Sequence, residues 1–135
     1  MSKIAVVYWS QTGHTQMMAE AVAQACGADL FTASEFDADK AAAYDAIAMG
    51  CPAMGAEELE DSEFQPMYDA VKGSLAGKKV ALFGSYGWGD GEWMRTWQAD
   101  VESTGAALVG DGVIANDEPD ADALAACAAL GEALK

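Results

Sequence analysis

Short unbroken apolar runs alternate along the chain with stretches whose apolar residues recur every three or four positions. Residues 4–9 (IAVVYW), 45–51 (DAIAMGC) and 79–85 (KVALFGS) are runs of the first kind. Runs of this length without polar alternation predict strands covered on both faces. Weaker runs at 28–33 and 106–115 predict a second and a fifth strand, the last interrupted by Gly110 and Gly112. Between them, Met17, Met18, Ala21, Val22 and Ala25 repeat at helical spacing and predict a helix over 13–26. Further helices are predicted over 38–44, 62–75, 91–103 and the alanine-rich 120–134. Ser62 with Gln65 has the spacing of a capping box, and Pro66 still falls in that helix's first turn.

Strand–helix alternation of this kind predicts an α/β fold: a doubly wound parallel sheet with helices on both faces. Five strands suggest the order 2-1-3-4-5. No repeat, linker or low-complexity tract divides the chain, so residues 1–135 are expected to form one domain. In such sheets ligands bind beyond the carboxyl ends of the strands, where the strand order reverses. The loops after strands one, three and four therefore carry the candidate chemistry.

The first of these loops is Ser10-Gln11-Thr12-Gly13-His14-Thr15. Its hydroxyls and backbone N–H groups at a helix N-terminus suit an anion held without formal positive charge. A plain N-cap turn accounts for the same residues. The second loop opens with Cys51-Pro52-Ala53-Met54-Gly55-Ala56-Glu57, in which Met54 is a flexible, polarizable side chain on an exposed turn. The acidic residues from Glu57 to Glu63 read as a solvated face complementing the next helix, with Glu57 the exception. The third loop is Gly84-Ser85-Tyr86-Gly87-Trp88-Gly89-Asp90-Gly91-Glu92, where glycines alternate with aromatic rings. Trp93 and Trp97, four apart, read as packing, and Trp9 at its strand end as core. An anion cradle, an aromatic wall and a flexible Met-Gly turn on one edge fit a flat aromatic phosphate ester.

Charge narrows the field further. Seven basic residues against 22 acidic ones give a net charge of −15. Nucleic acids and anionic membranes are disfavoured, because their binding rests on Lys and Arg. The single arginine, Arg95, and single histidine, His14, exclude an Arg-clamped phosphate and a multi-His metal site. Cys26, Cys51 and Cys127 have neither disulfide-framework nor zinc spacing, and read as reduced, packed thiols. No apolar run approaches a membrane span, and no secretory signal opens the chain, so a cytoplasmic protein is expected.

The stretch Val6-Val7-Tyr8-Trp9-Ser10-Gln11-Thr12-Gly13-His14-Thr15, with Ala19 and Val22, resembles the flavodoxin signature. The segments CPAMGAEELEDSEFQP and GKKVALFGSYGWGDGEWM are similar to short-chain, clostridial-type members. The resemblance covers essentially the whole chain and implies a flavodoxin-like fold. It implies a low-potential one-electron carrier whose non-covalent FMN cycles mainly between semiquinone and hydroquinone. Such a protein stands in for ferredoxin between redox enzymes with basic docking surfaces, as a monomer and not as an enzyme. By the same resemblance, Ser10, Gln11, Thr12, Gly13, His14 and Thr15 hold the phosphate, and Pro52, Ala53, Met54, Gly55, Ala56 and Glu57 form the turn against the flavin. Met54 and Trp88 cover opposite ring faces, and Glu57 accepts from the flavin N3–H. Ser85 reaches the ribityl chain or phosphate, and Tyr86, Gly87, Trp88, Gly89, Asp90 and Gly91 line the pyrimidine side. Gln11 and His14 stand where such members usually have Gly and Asn, and Asp117 where they often have Asn. A histidine beside the phosphate predicts an FMN affinity that changes between pH 5 and 8.

The main rival is a small FMN-dependent NAD(P)H oxidoreductase on the same fold. It usually needs added elements for a second substrate, for which 135 residues leave little room. A phosphoacceptor signalling domain needs acidic strand ends where this chain has Tyr8-Trp9 and Cys51. A low-molecular-weight phosphatase needs a Cys-Arg phosphate loop that Cys51 does not have.

Overall fold

A computed structural model describes residues 3–11, 13–54, 58–87 and 89–135. Its strands are β1 (Ile4–Tyr8), β2 (Asp29–Thr32), β3 (Ala46–Gly50), β4 (Lys79–Tyr86), β5 (Ala107–Leu108) and β6 (Val113–Asn116). Its helices are α1 (His14–Cys26), α2 (Ala38–Ala41), α3 (Phe64–Val71), α4 (Glu92–Ser103) and α5 (Ala121–Leu134). The strands form one parallel sheet in the order β2-β1-β3-β4-β5, with β6 also paired to β4. The expected order is observed, with one difference: the fifth strand is broken in two. Ala107 and Leu108 pair with the start of β4, and Val113–Asn116 with its end. The break falls at Gly110, whose φ of +92° leaves the extended region.

The unbroken apolar runs have a simple cause. Alternate side chains of one strand enter different cores. Ala5, Val7, Ile47, Met49, Val80 and Leu82 pack under α3 and α4. Ile4, Val6, Ala46, Ala48, Ala81 and Phe83 pack under α1 and α5. The α1 stripe is Thr15, Met18, Ala19, Val22 and Ala23, so the pattern is helical as expected, but Met17 lies outside it, 37% exposed.

Three local expectations need correction. The helix expected over 62–75 is α-helical only from Phe64 to Val71, followed by a 3-10 turn at Lys72–Ser74. Its N-terminus is not closed by a Ser62–Gln65 box. The Glu60 carboxylate accepts instead from the N–H groups of Ser62, Glu63 and Phe64. Trp9 is not core but half-buried, its indole N–H donating to Glu63 Oε1 at 3.3 Å. Trp93 and Trp97 are buried, as their spacing predicts.

Candidate functional site

The carboxyl ends of β1, β3 and β4 converge where the chain leaves β1 toward one edge of the sheet and β3 toward the other. A cleft opens there, lined by Gln11, His14, Pro52, Ala53, Met54, Ser85, Tyr86, Gly87 and Asp117. Residues from all three loops anticipated from the sequence thus meet at one site.

The first wall is built by the turn into α1. Gly13 occupies the N-cap with φ +95° and ψ −8°, and a Cβ there would meet open space. Backbone conformation, not packing, calls for glycine at this position. Ser10 Oγ accepts from the N–H groups of Gly13, at 3.1 Å, and Gln16, at 3.3 Å. Behind it, Thr15 and Ser85 are 1% and 5% exposed, and their hydroxyls share a hydrogen bond of 3.0 Å. One member of that pair donates, and the other retains a proton for a ligand. The first turn of α1 carries no acidic residue, and its cap is the neutral Ser10 hydroxyl rather than a carboxylate. The positive end of its dipole therefore faces the cleft with no carboxylate in its own first turn.

The second wall is the segment after β3. Cys51 N–H donates to Phe83 O at 3.1 Å, and Ala53 N–H to Ser85 O at 3.0 Å, so the segment continues along β4 past the end of its strand. Met54 and Glu58 exchange backbone hydrogen bonds of 2.9 and 2.8 Å, which tie the outgoing strand end to the returning chain. Met54 is half-buried there and faces the cleft.

The third wall follows β4. Gly84 lies so near the second wall that a Cβ would stand 2.2 Å from Cys51 O. That carbonyl accepts the Trp93 indole N–H at 3.1 Å, and the Trp93 ring lies 5.5 Å from that of Tyr86. Tyr86 O accepts from Asp117 N–H at 2.8 Å, and Asp117 has φ +57°, a left-handed conformation that Asp tolerates. Asp117 is thus a cleft residue that sequence reasoning noted only as a departure from a family pattern. Its signal was weak: one acid among many beyond a broken strand.

Other expected residues stand apart from the lining. Ser10 and Gly13 shape the turn beneath α1, and Gly91 is the N-cap of α4 with φ +92°. Asp90 is exposed and pairs with Arg95 at 3.0 Å, and neither lines the cleft. Gly89 is exposed. Thr12, Gly55, Ala56, Glu57 and Trp88 lie outside the described residues. Among the described residues no group of side chains is arranged to hold a metal ion, and no helix is long and apolar enough to cross a membrane.

The sequence profile described as Flavodoxin matches residues 6–131. The chain belongs to the flavodoxin family. It is 47% identical to a flavodoxin of Megasphaera elsdenii over 135 residues, covering 96% of each chain. It is 44% identical to a flavodoxin of Clostridium beijerinckii over 120 residues, or 85% of this chain and 87% of the relative. Among solved structures it superimposes on the two-electron reduced Megasphaera elsdenii flavodoxin with a TM-score of 0.88 and 44% identity, over 97% of both chains. A flavodoxin from the Archaea gives a TM-score of 0.84 at 26% identity, over 96% of this chain and 93% of the other. The flavodoxin family gives this chain a flavin cofactor and a role in electron transfer with redox partners, not in catalysis. The residues present fit such a cofactor: the cleft has Met54 and Tyr86 in its lining and lies beside the buried Thr15 and Ser85 hydroxyls and a helix first turn without acidic residues.

Proposed function

We propose that residues 1–135 form one domain that holds FMN non-covalently and passes single electrons between redox enzymes. One observation carries the choice of FMN. The anion end of the cleft offers neutral hydroxyls and N–H groups and no acid in the first turn of α1, in a chain of net charge −15. A phosphate dianion is the group that such an end suits. FMN, when bound, supplies the capacity to take up and release one electron at a time.

The chain supplies the rest. Ser10, Gln11, Thr12, Gly13, His14 and Thr15 surround the phosphate, with Thr15 fixed by Ser85. Pro52, Ala53, Met54, Gly55, Ala56 and Glu57 form one side of the ring site, with Glu57 accepting from the ring. Ser85, Tyr86, Gly87, Trp88, Gly89, Asp90 and Gly91 form the other. The surrounding carboxylates disfavour any further negative charge placed in the cleft: one such charge about 8 Å away at an effective dielectric of ~20 costs roughly 2 kcal/mol. The same surface steers partners with basic docking patches. A cytoplasmic monomer replacing ferredoxin fits this reading.

The test is the visible spectrum of the purified protein during stepwise anaerobic reduction. Yellow FMN bands that pass through a half-reduced, long-wavelength-absorbing stage before bleaching support the proposal. Direct reduction by NAD(P)H with no such stage favours the oxidoreductase. A colourless protein that FMN does not reconstitute refutes the cofactor. Trp88→Ala should weaken FMN binding by about 1–3 kcal/mol through lost stacking. FMN affinity compared at pH 5 and 8 in the wild type and in His14→Asn reads the part played by His14.

A further inference from the structure

The segment from Cys51 to Glu60 is tied at its base as well as at the Met54–Glu58 pair. Cys51 is held by β4 through its N–H and by Trp93 through its carbonyl. Its Sγ accepts the backbone N–H of Glu60 at 3.4 Å. The outgoing and returning limbs thus meet at Cys51 and Glu60, with the Met54–Glu58 backbone pair beyond them.

Glu60 is bonded on every side. One carboxylate oxygen accepts from the N–H groups of Glu63 and Phe64, each at 2.8 Å. The other accepts from Ser62 N–H at 2.9 Å and from the Ser62 hydroxyl. Its carbonyl accepts from Gln65 N–H at 2.8 Å. In a chain with 22 acidic residues this one is only 5% exposed. Burying a carboxylate is costly, and a hydroxyl at Ser62 could cap the helix without it. A carboxylate reaching back from Glu60 does something that Ser62 cannot: it fastens the returning limb to α3.

We propose that Glu60 is a positioning residue for the cleft-facing Met54, holding the returning limb between α3 and Cys51 so that the Met54–Glu58 backbone pair is set before a ligand arrives. This rests on the reading of the cleft as an FMN site. Without the tie, that pair has to be ordered at the moment of binding, and the cost appears as lost affinity.

Two readouts on Glu60→Gln and Glu60→Ala test it. The first is FMN affinity, from fluorescence quenching by the apoprotein. The second is amide hydrogen exchange at Met54 and Glu58 in the apoprotein, which needs no cofactor. A positioning role predicts an FMN dissociation constant raised about tenfold, as expected for losing charge-assisted hydrogen bonds, with more for Ala than for Gln. It also predicts exchange at both amides accelerated by a similar factor. Asp120→Ala, which removes a carboxylate cap from α5, is the control: it lowers stability but leaves both readouts at wild-type values. Glu60 variants that lose stability with wild-type affinity and exchange make Glu60 a helix cap alone and overturn the proposal. If they do not fold, Cys51→Ala removes the acceptor of the Glu60 N–H and is read the same way. Failure of the wild type to bind FMN refutes the cofactor reading, whereas the exchange result still decides the role of Glu60.

Discussion

Adding one methyl group at Gly84 tests the architecture of the cleft. The new Cβ would stand 2.2 Å from Cys51 O and 3.1 Å from the Trp93 ring. Favourable separations for such atoms begin near ~3.5 Å, so the overlap with the carbonyl exceeds 1 Å. The obstacle is backbone and cannot rotate away. Either β4 or the segment after β3 must move, and three hydrogen bonds resist: Cys51 N to Phe83 O, Ala53 N to Ser85 O, and the Trp93 indole to Cys51 O. Overpacking costs about 1–3 kcal/mol, and each bond given up about 1 kcal/mol. Gly84→Ala should therefore lose about 2–4 kcal/mol, a large part of the ~5–15 kcal/mol that holds a domain together. Urea unfolding of the apoprotein measures it as a shifted midpoint at constant slope. Gly73→Ala, where the new methyl meets nothing, is the control and should stay within about 0.5 kcal/mol. Pairing Gly84→Ala with Trp93→Phe should give less than the sum of the two, since both break the bond to Cys51 O. A loss below about 1 kcal/mol, or strict additivity, would refute the close approach at Cys51.

The remaining expectations concern caps and titrating groups. Asp120→Ala should cost about 1 kcal/mol in the urea midpoint, because its carboxylate accepts from Ala123 N–H at 2.8 Å at the start of α5; no change would mean the cap is idle. Burial works to raise the Glu60 carboxyl, but the bonds from Ser62, Phe64 and Glu63 outweigh it and hold the group below the usual range. Its contribution is present above the unfolded carboxylate value of about 4.3 and is lost as pH falls through the lower folded one, so Glu60→Gln should flatten the acid limb of stability against pH. The hydrogen bond to Asp29 and then burial push the Tyr44 hydroxyl up to about 12. That contribution is present below about pH 10 and is lost as pH rises toward the folded value, so Tyr44→Phe should flatten the alkaline limb; an unchanged slope counts against it. Burial pushes the Cys51 and Cys127 thiols up to about 12, while Cys26 is half-buried. Ellman's reagent should find at most one thiol in the native protein, slowly, and three after denaturation; prompt reaction of two would contradict their burial.

The fold was legible because each central strand is apolar on both faces, a pattern that only a sheet sandwiched between helices requires. The meeting of the first, second and third loops was legible for the same reason: strand order determines which carboxyl ends adjoin. What escaped were choices between local patterns that burial decides. Ser62 and Gln65 have a capping spacing, yet Glu60 supplies the cap, because its own N–H is fixed on buried Cys51 and its carboxylate is carried to the helix end. Trp9 looks like the last residue of a buried strand, yet the strand ends one residue earlier and the indole turns to Glu63. Asp117 reaches the cleft only because β6 pairs with the end of β4 rather than continuing β5.

The distribution of carboxylates ties the caps to the cleft. Asp37 caps α2, Glu60 caps α3, Glu92 stands in the first turn of α4 and Asp120 caps α5. Each carboxylate neutralises the positive end of its helix and is itself favoured there. Among the described residues α1 differs in that its first turn holds no acidic residue and its cap is neutral, the Ser10 hydroxyl accepting from Gly13 and Gln16 N–H. In a chain with 22 acidic residues, a carboxylate is readily available for such a position, and placing one near Gly13 would stabilise α1 by the same amount as elsewhere. It would also set a negative charge beside the proposed phosphate, where low dielectric makes like charges repel strongly. The stability left unclaimed at α1 is thus the attraction made available to the ligand. The acid that does line the cleft, Asp117, disfavours further negative charge placed there. On the proposed reading, one uneven allocation of carboxylates would both leave room for the phosphate and disfavour added negative charge in the cleft.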